Sequence, residues 1–349
     1  MKKKIKLLSL SALAFLVLLV ACVYIDSVDV NQVQPDGTVA PRVQAGDTAV
    51  FKVKGHLDIK ENVSEGDQLV VAVLAPKCWN LRENATASYH ANVLLDETEE
   101  QTMSLIAENV SPKNMAGYTW AEALMERFGI GTNRYNDMEW VTWQADKAVA
   151  YYNGSKPDYE ITIRCKTSND NLTACIGFCV NYVGDGLSND ADRFKVVYSD
   201  PFTVYGGLGE EIDYTKIRFN TVEPSRALQD DFVTFTFSGD AFDNQLIQSD
   251  EIYLEATART DAGNEYTVAD RSAKTLMKRT NTFSHTYSVT LWPKDFFNIP
   301  AHENIETIRY FFTSKDGSVI VNKSLGDLMS GDTPASNDIP FSFILTCGY

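Results

Sequence analysis

The chain has 349 residues, with 31 Lys and Arg against 47 Asp and Glu, and a net charge of −16. Such an excess of carboxylates repels the phosphate backbone of nucleic acids, so the composition excludes DNA and RNA as partners. At roughly 100 to 200 residues per domain, the length predicts two domains.

Residues 1–21 have the pattern of an export signal. Four lysines lie within the first six residues, and an apolar run follows from Leu7 to Val20. The sequence Leu19-Val20-Ala21-Cys22 resembles the lipobox of bacterial lipoproteins, in which the cysteine is lipidated and becomes the first residue. The run is shorter than the about 20 apolar residues of a comfortable membrane span, which disfavours an uncleaved anchor. We therefore predict a signal peptide over 1–21, lipidation of Cys22, and a soluble body tethered to a membrane outside the cytoplasm.

The first predicted domain begins after a polar segment. Residues 22–45 contain Pro35, Gly37 and Pro41 without helical periodicity, which predicts a tether. Beyond it, apolar and polar residues alternate, and the continuous apolar run from Leu69 to Ala75 is typical of a strand that is covered on both faces. Further strands are predicted near 102–108, 139–145, 159–166, 174–182 and 193–205. This pattern indicates an antiparallel sandwich over residues 46–207.

One helix is predicted inside this domain, near residues 120–128. Thr119-Trp120-Ala121-Glu122 is a capping box, and Gly129 is a natural stop. The apolar stripe of the helix indicates packing on the sandwich.

A glycine-rich stretch, Gly206-Gly207-Leu208-Gly209, predicts a flexible hinge. The two-residue period then restarts, which predicts a second sandwich over 208–349. Asp316-Gly317 predicts a type I′ hairpin that sets Phe312 opposite Val321. The predicted fold class is all-β, with two tandem Ig-like antiparallel β-sandwich domains and a short helical insertion in the first.

Five cysteines remain beyond Cys22, and none forms a Cys-x-x-Cys motif. A bridge between Cys165 and Cys175 would suit a hairpin, but alternation places the two side chains on opposite faces. Cys175 and Cys179 lie about 13 Å apart along one strand, which is too far for a bridge. We predict that these three cysteines are free.

Metal and catalytic signatures are weak. Asp185, Asn189, Asp190 and Asp192 share one loop that could hold calcium, but their spacing fits no EF-hand and favours a polar turn. No Gly-x-Ser-x-Gly elbow or zinc-type spacing is present. We predict no cofactor, no metal and no enzymatic activity, with a hydrolase that uses two surface carboxylates as a weaker alternative.

Aromatic residues are the best candidates for ligand contact, because flat side chains with a polar edge stack well on the C–H faces of sugars. Trp140 shares a strand face with Thr142 and Gln144, which predicts that it points outward, whereas Trp143 faces the core. Trp292 shares a strand face with Ser288 and Thr290, which predicts that it also points outward. The predicted glycan-binding residues are Trp79, Tyr135, Trp140 and Trp292.

Several stretches resemble the lipoproteins of Bacteroidota. They are Phe128-Gly129-Ile130-Gly131-Thr132-Asn133 running into Asp137-Met138-Glu139-Trp140-Val141, Trp292-Pro293-Lys294-Asp295-Phe296-Phe297-Asn298-Ile299-Pro300, and Lys315-Asp316-Gly317-Ser318. The resemblance is to SusE/SusF-like surface glycan-binding lipoproteins of polysaccharide-utilisation systems. It implies Ig-like modules at the outer membrane, display at the cell surface, and a polysaccharide or oligosaccharide ligand. It also implies partnership with a TonB-dependent transporter and a SusD-like lipoprotein.

The leading hypothesis is therefore a non-catalytic outer-membrane lipoprotein that binds glycan for uptake. The alternative is a structural surface protein, such as an adhesin, a fimbrial subunit or a transport-complex scaffold, that binds protein instead of sugar.

Overall fold

The computed structural model describes residues 21–60, 62–92, 99–224, 227–242, 244–280, 284–329, 331 and 333–345. The predicted signal peptide, apart from Ala21, lies outside the described residues, as does Cys347. In the part of the chain that is described, no helix is long and apolar enough to span a membrane.

The first domain contains fifteen strands and two helices among the described residues. The strands are β1 (Ala21–Asp29), β2 (Gln32–Val33), β3 (Val39–Ala40), β4 (Arg42–Gln44), β5 (Thr48–Ile59), β6 (Val63–Asp67), β7 (Leu69–Pro76), β8 (Ala85–Ala91), β9 (Gln101–Leu105), β10 (Met138–Ala145), β11 (Val149–Tyr151), β12 (Asp158–Lys166), β13 (Asp170–Tyr182), β14 (Lys195–Tyr205) and β15 (Leu208–Asp213). The helices are α1 (Leu81–Asn84) and α2 (Trp120–Phe128), and a 3-10 turn covers Lys77–Trp79.

The main sheet of this domain curls around one core. Its order is β1-β5-β12-β8-β9-β10-β7-β13-β14-β4, and β9 joins the two halves. The halves face each other, since Phe51 of β5 contacts Phe178 of β13 and Phe202 of β14 at ring-centroid distances of 5.9 and 5.2 Å. Every residue of β7 is buried, as predicted for a strand that is covered on both faces.

The predicted tether is wrong, because its first residues belong to the sheet. β1 pairs with β5 in antiparallel register, from Ala21 opposite Ile59 to Asp29 opposite Lys52. Val23 is fully buried in the core. The polar composition of β1 did not indicate a strand, because its polar residues face outward from the edge of the sheet.

Helix α2 has the predicted bounds and caps. The amide of Glu122 donates to Thr119 Oγ1 at 3.1 Å, and the amide of Thr119 donates to Glu122 Oε2 at 2.8 Å. Trp120, Ala123 and Leu124 face the core. The helix packs on β10, where Trp140 Nε1 donates to the Gly129 carbonyl at 2.9 Å.

Replacing Thr119 with alanine is expected to lower the free energy of unfolding by about 1 kcal/mol, because the replacement removes the acceptor that satisfies the Glu122 amide. Urea denaturation of Thr119→Ala and Thr119→Ser measures the effect. Serine keeps the hydroxyl, so an equal loss in both variants would contradict a capping role.

The three cysteines are free as predicted, although their two strands do not form the hairpin that the prediction considered. Strand β12 pairs with β5 and β8, while β13 pairs with β7 and β14, so β12 and β13 lie in opposite halves and form no hairpin. Cys165, Cys175 and Cys179 are free and buried. Burial raises the pKa of Cys165 and of Cys179 to about 12, which keeps both as unreactive thiols.

The second domain contains nine strands and two α-helices among the described residues. They are β16 (Asn220–Glu223), β17 (Val233–Ser238), β18 (Ile252–Thr260), β19 (Glu265–Val268), β20 (Leu276–Arg279), β21 (Thr286–Leu291), α3 (Pro293–Phe296), β22 (Ile305–Ser314), β23 (Ile320–Val321), α4 (Lys323–Met329) and β24 (Phe341–Ile344), with 3-10 turns at Gly239–Ala241 and Gln245–Gln248. Their order is β16-β17-β21-β20-β18-β22-β23, with β19 on β18 and β24 on β22. The fold class is therefore confirmed as all-β with two curled-sheet domains.

The hairpin at Asp316-Gly317 has the predicted register, with Phe312 opposite Val321. Its turn type differs. Gly317 has a φ of +74°, but Asp316 is not among the residues with positive φ, as a type I′ turn would require. Asp316 instead accepts from the Ser314 and Ser318 hydroxyls and from the Ser318 amide, which closes a longer loop.

The boundary between the domains lies later than the predicted 207/208. Strand β15 pairs in parallel with β13, so Leu208 and Gly209, the second half of the predicted hinge, belong to a strand of the first domain. Tyr214 is buried in the first core and Phe219 in the second. The residues between these two aromatic rings therefore join the domains.

Candidate binding surface on the second domain

The outer face of β17 and β21 is polar along the strands and aromatic at one end. Thr236 lies opposite Ser288, and Thr234 opposite Thr290, whose hydroxyl groups are 2.8 Å apart. The opposite face of β17 carries Val233, Phe235 and Phe237, which are all fully buried in the core.

Two exposed aromatic side chains continue this outer face beyond the last paired residues. Because Val233 lies opposite Leu291, the next positions outward are Phe232 and Trp292. Phe232 is 69% exposed and Trp292 is 43% exposed. The turn that leads into Phe232 adds Leu228, which is 40% exposed. We call these three residues the apical patch.

The backbone of the apical patch is held in place by buried neighbours. Trp292 is extended, Pro293 then starts α3, and the Trp292 carbonyl accepts from the amide of buried Phe296 at 2.8 Å. On the other side, the Leu228 amide donates to Asp231 Oδ2 at 2.8 Å, which closes the turn before Phe232. Large apolar side chains on a rigid backbone are typical of an interaction surface.

The four predicted glycan-binding residues differ in how far the structure exposes them. Trp79 is fully buried, stacked on Phe51 with a centroid distance of 6.3 Å. Trp140 is 1% exposed, so the expectation that it is open to a ligand is wrong: it lies on the outer face of the sheet, but α2 covers that face of β10. Neither ring can offer a face to a sugar.

Tyr135 is half-buried at the junction of the domains. The Arg218 guanidinium lies 4.9 Å from its ring centroid, and Tyr214 packs beside it at 5.1 Å. Burial raises the pKa of its hydroxyl. Of the four predicted aromatic residues, only Trp292 presents an open ring. Phe232 was missed, although the alternation test places it on the same face as Thr234 and Thr236.

A groove of about 530 Å³ lies elsewhere in the second domain, beside β20. It is lined by Glu251, Arg279 and His285 among others, and His285 Nδ1 lies 2.6 Å from Asp240 Oδ1. Lys315, 2.7 Å from Glu251, lowers the pKa of that carboxyl, so Glu251 is not suited to act as a general acid. Among the described residues, no hydroxyl or thiol is hydrogen-bonded to His285. The groove therefore shows no catalytic arrangement.

The loop of Asp185, Asn189, Asp190 and Asp192 is organised by an internal cation. Arg193 Nη1 lies 2.9 Å from Asp185 Oδ1, and its Nε lies 3.5 Å from Asp190 Oδ2. In the described part of the chain, no group of three or more His, Cys, Asp or Glu could hold a metal ion. Asp185 and Arg193 therefore form a largely buried ion pair within this loop, whereas Asn189 and Asp192 are exposed.

Cys22, the predicted lipidation site, lies opposite Asp58 near the start of β1 and is 7% exposed. Burial raises the pKa of its thiol. Its place at the end of an edge strand puts it at one extremity of the first domain.

Two family models match the chain. One, described as a domain of unknown function (DUF4961), matches residues 23–218, and another (DUF8578), also of unknown function, matches residues 220–321. The two matches meet between residues 218 and 220, at the boundary between the two structural domains. No curated protein matches the chain.

Solved structures resemble the chain only distantly. The C-terminal domain of the Streptococcus pyogenes antigen I/II-family protein AspA is 12% identical, with a TM-score of 0.25, over 86% of this chain and 96% of that one. The pilus 2b backbone protein of group B streptococcus is 10% identical, with a TM-score of 0.22, over 92% and 91%. AvmM, which catalyses macrocyclization in alchivemycin A biosynthesis, is 11% identical, with a TM-score of 0.28, over 50% of this chain and 88% of that one. Structural similarity at these TM-scores does not indicate a function for this chain.

Proposed function

Because this chain belongs to the DUF4961 family of domains of unknown function, we propose its role from its own surface: a non-catalytic, lipid-anchored surface protein that binds a protein partner at the apical patch. The anchor rests on the lipobox that ends in Cys22. Binding rests on one observation, the exposed pair of Phe232 and Trp292 on a rigid sheet end.

The chemistry of the apical patch favours protein over sugar. Leu228 and Phe232 have no polar edge, so they cannot combine stacking with hydrogen bonds to hydroxyl groups. Apolar and aromatic anchors are the side chains that protein interfaces concentrate at their centre. Exposed acidic residues, Glu223 and Asp231, flank the patch, so a partner with a basic rim would complement it.

Glycan capture is the second candidate. Trp292 has an open ring, and the Thr234 and Thr290 hydroxyl groups lie on the same face. A transporter of the TonB-dependent type with a SusD-like lipoprotein would be the matching assembly at the outer membrane. In that case a polysaccharide would occupy the face that we assign to protein.

Photo-crosslinking in intact source cells, with benzoylphenylalanine in place of Phe232, tests the proposal. We expect one discrete protein adduct, identified by mass spectrometry, and none when the probe replaces Tyr118, an aromatic residue of the first domain that is 43% exposed, as Trp292 is in the second. Trp292→Ala should weaken the purified complex at least about tenfold, because anchor aromatics typically contribute about 2 kcal/mol or more.

Affinity electrophoresis against a polysaccharide panel separates the two candidates. Retardation that is lost in Trp292→Ala and retained in Tyr118→Ala, together with no adduct at position 232, would replace the protein-binding proposal with glycan binding.

A further inference from the structure

The fold begins at the predicted lipidation site, with no free chain in between. Cys22 lies opposite Asp58 and Val23 opposite Leu57 in the β1–β5 ladder. The Val23 amide also donates to the Asp192 carbonyl at 2.8 Å, and Val23 is fully buried. A flexible tether of 24 residues would allow excursions of about 25 Å. Because Cys22 and Val23 are already paired in the sheet, the structure leaves almost no such freedom of movement.

The surface around Cys22 is neutralised and carries an exposed aromatic side chain. Asp58 lies 2.5 Å from the Lys60 ammonium and 3.9 Å from that of Lys156, and the Lys60 contact lowers the pKa of the Asp58 carboxyl. The loop that carries Tyr152, which is 70% exposed, lies against the same end of β5. There the Gly154 amide donates to the Ile59 carbonyl at 2.8 Å.

The other charged groups near Cys22 leave its surroundings close to neutral. Burial raises the pKa of the Cys22 thiol most, and the nearby Asp192 and Asp190 add to the rise. Asp192 lies 3.7 Å from Lys195, while Asp190 and Asp185 share Arg193 at 3.5 and 2.9 Å. Together with Asp58, Lys60 and Lys156, four carboxylates lie beside four cations. Such a surface can approach anionic headgroups, even though the whole chain has a net charge of −16.

We propose that this basal end, formed by Cys22, Asp58, Lys60, Tyr152 and Lys156, rests directly on the lipid surface and fixes the orientation of the molecule. The proposal depends on the acylation of Cys22 proposed above. Acyl chains hold Cys22 at headgroup level, and Asp58 on the neighbouring strand lies only about 5 Å away. Tyrosine favours this interface, and lysine side chains reach headgroup phosphates while their stems stay apolar.

The same geometry directs the second domain away from the membrane. Cys22 lies at the end of β5 that contains Ile59, whereas Thr48 starts that strand about 35 Å away, at about 3.3 Å per residue. Near Thr48, the Gly46 amide donates to the Ser168 carbonyl at 2.9 Å, and the Ser168 hydroxyl contacts Cys78 at 3.5 Å. Cys78 in turn interacts with Tyr214, where the second domain attaches. The apical patch therefore belongs to the domain that attaches far from the lipid.

Hydrogen exchange of the acylated full-length protein in vesicles of phosphatidylethanolamine and phosphatidylglycerol tests the orientation. Relative to the protein in detergent micelles, we expect amides of residues 152–156 to exchange about tenfold more slowly on vesicles. The loop at 315–318 of the second domain should exchange equally in both.

A flexible Gly/Ser segment of about 24 residues, inserted between Cys22 and Val23, is the matched control. It keeps the anchor and frees the body, so the slowing at 152–156 should disappear. Slowing that survives the insertion would overturn the proposal, because contact would not depend on the short connection. If the N-terminal peptide carries acyl chains but exchange at 152–156 is not slowed on vesicles, this inference alone is overturned. If the N-terminal peptide carries no acyl chains, the proposed lipid anchor at Cys22 is overturned as well.

Discussion

Replacing Trp79 with alanine is expected to lower the free energy of unfolding of the first domain by about 3 to 5 kcal/mol. The indole is fully buried, stacked on Phe51 and edge-on to Phe202 at a centroid distance of 6.1 Å. Its loss leaves a cavity between the two halves of the sheet, which cannot collapse without moving both halves.

Urea denaturation followed by circular dichroism measures this loss, with Trp292→Ala as the matched control. Trp292 lies on the surface, so its replacement should change the free energy of unfolding by less than about 0.5 kcal/mol. Trp79→Phe should lose less than Trp79→Ala, since phenylalanine fills part of the space and removes an indole N–H that has no partner among the described residues. A Trp79→Ala protein of unchanged stability would contradict a core role.

Replacing Arg193 with methionine is expected to lower the free energy of unfolding by about 3 to 5 kcal/mol at neutral pH, because the change leaves a buried carboxylate without its cation. Asp185 is 3% exposed, and Arg193 Nη1 is its salt-bridge partner at 2.9 Å. The loop also accepts from Arg127, which donates to the Leu187 carbonyl at 3.0 Å and to the Ser188 carbonyl. Loss of Arg193 should therefore disturb the loop without unfolding α2.

The loss should depend on pH in a defined direction. Burial raises the pKa of Asp185 from 3.8 to about 6, although Arg193 opposes the rise, and nearby Asp67 adds to it. A carboxyl group whose pKa is higher in the folded state binds its proton more tightly there, so stability falls as the pH rises between those two values. Removing Arg193 raises the pKa further and extends that fall to higher pH.

Denaturation at about pH 5 and about pH 8 checks this direction. The deficit of Arg193→Met should be larger at the higher pH, where Asp185 must be charged. Adding Asp185→Asn should recover much of the stability and remove the pH dependence. Equal deficits at both pH values, with no recovery in the double variant, would show that packing of Arg193 matters more than its charge.

Patterns that depend on near neighbours in the chain predicted their elements well. The capping box at Thr119 set the start of α2, and the unbroken apolar run set β7 as a doubly covered strand. In the hairpin at Asp316-Gly317, loop length set the register correctly, while serine hydroxyl groups bound to Asp316 decided the turn type. The helix cap and the hairpin are satisfied within a few residues, whereas the apolar run of β7 predicts burial on both faces without saying which segments provide it.

Patterns that depend on distant partners were not predictable in the same way. Alternation in β10 assigned Trp140 to the outer face correctly, but it could not say that α2 would cover that face. Likewise, the adjacency of β12 and β13 in sequence suggested a hairpin, whereas each strand pairs in a different half of the sheet. Period-two alternation defines two faces of a strand and carries no information about what packs on either.

The amino-acid order by itself determined the all-β class, the two domains, the helix with its caps and the exposed position of Trp292, because propensity, alternation and turn chemistry act locally. Only the tertiary structure decided that Trp79 and Trp140 are core residues, that the chain joins the sheet from Cys22 onward, and that Phe232 lies beside Trp292. Those outcomes arise from contacts between segments far apart in the chain, which no local pattern encodes.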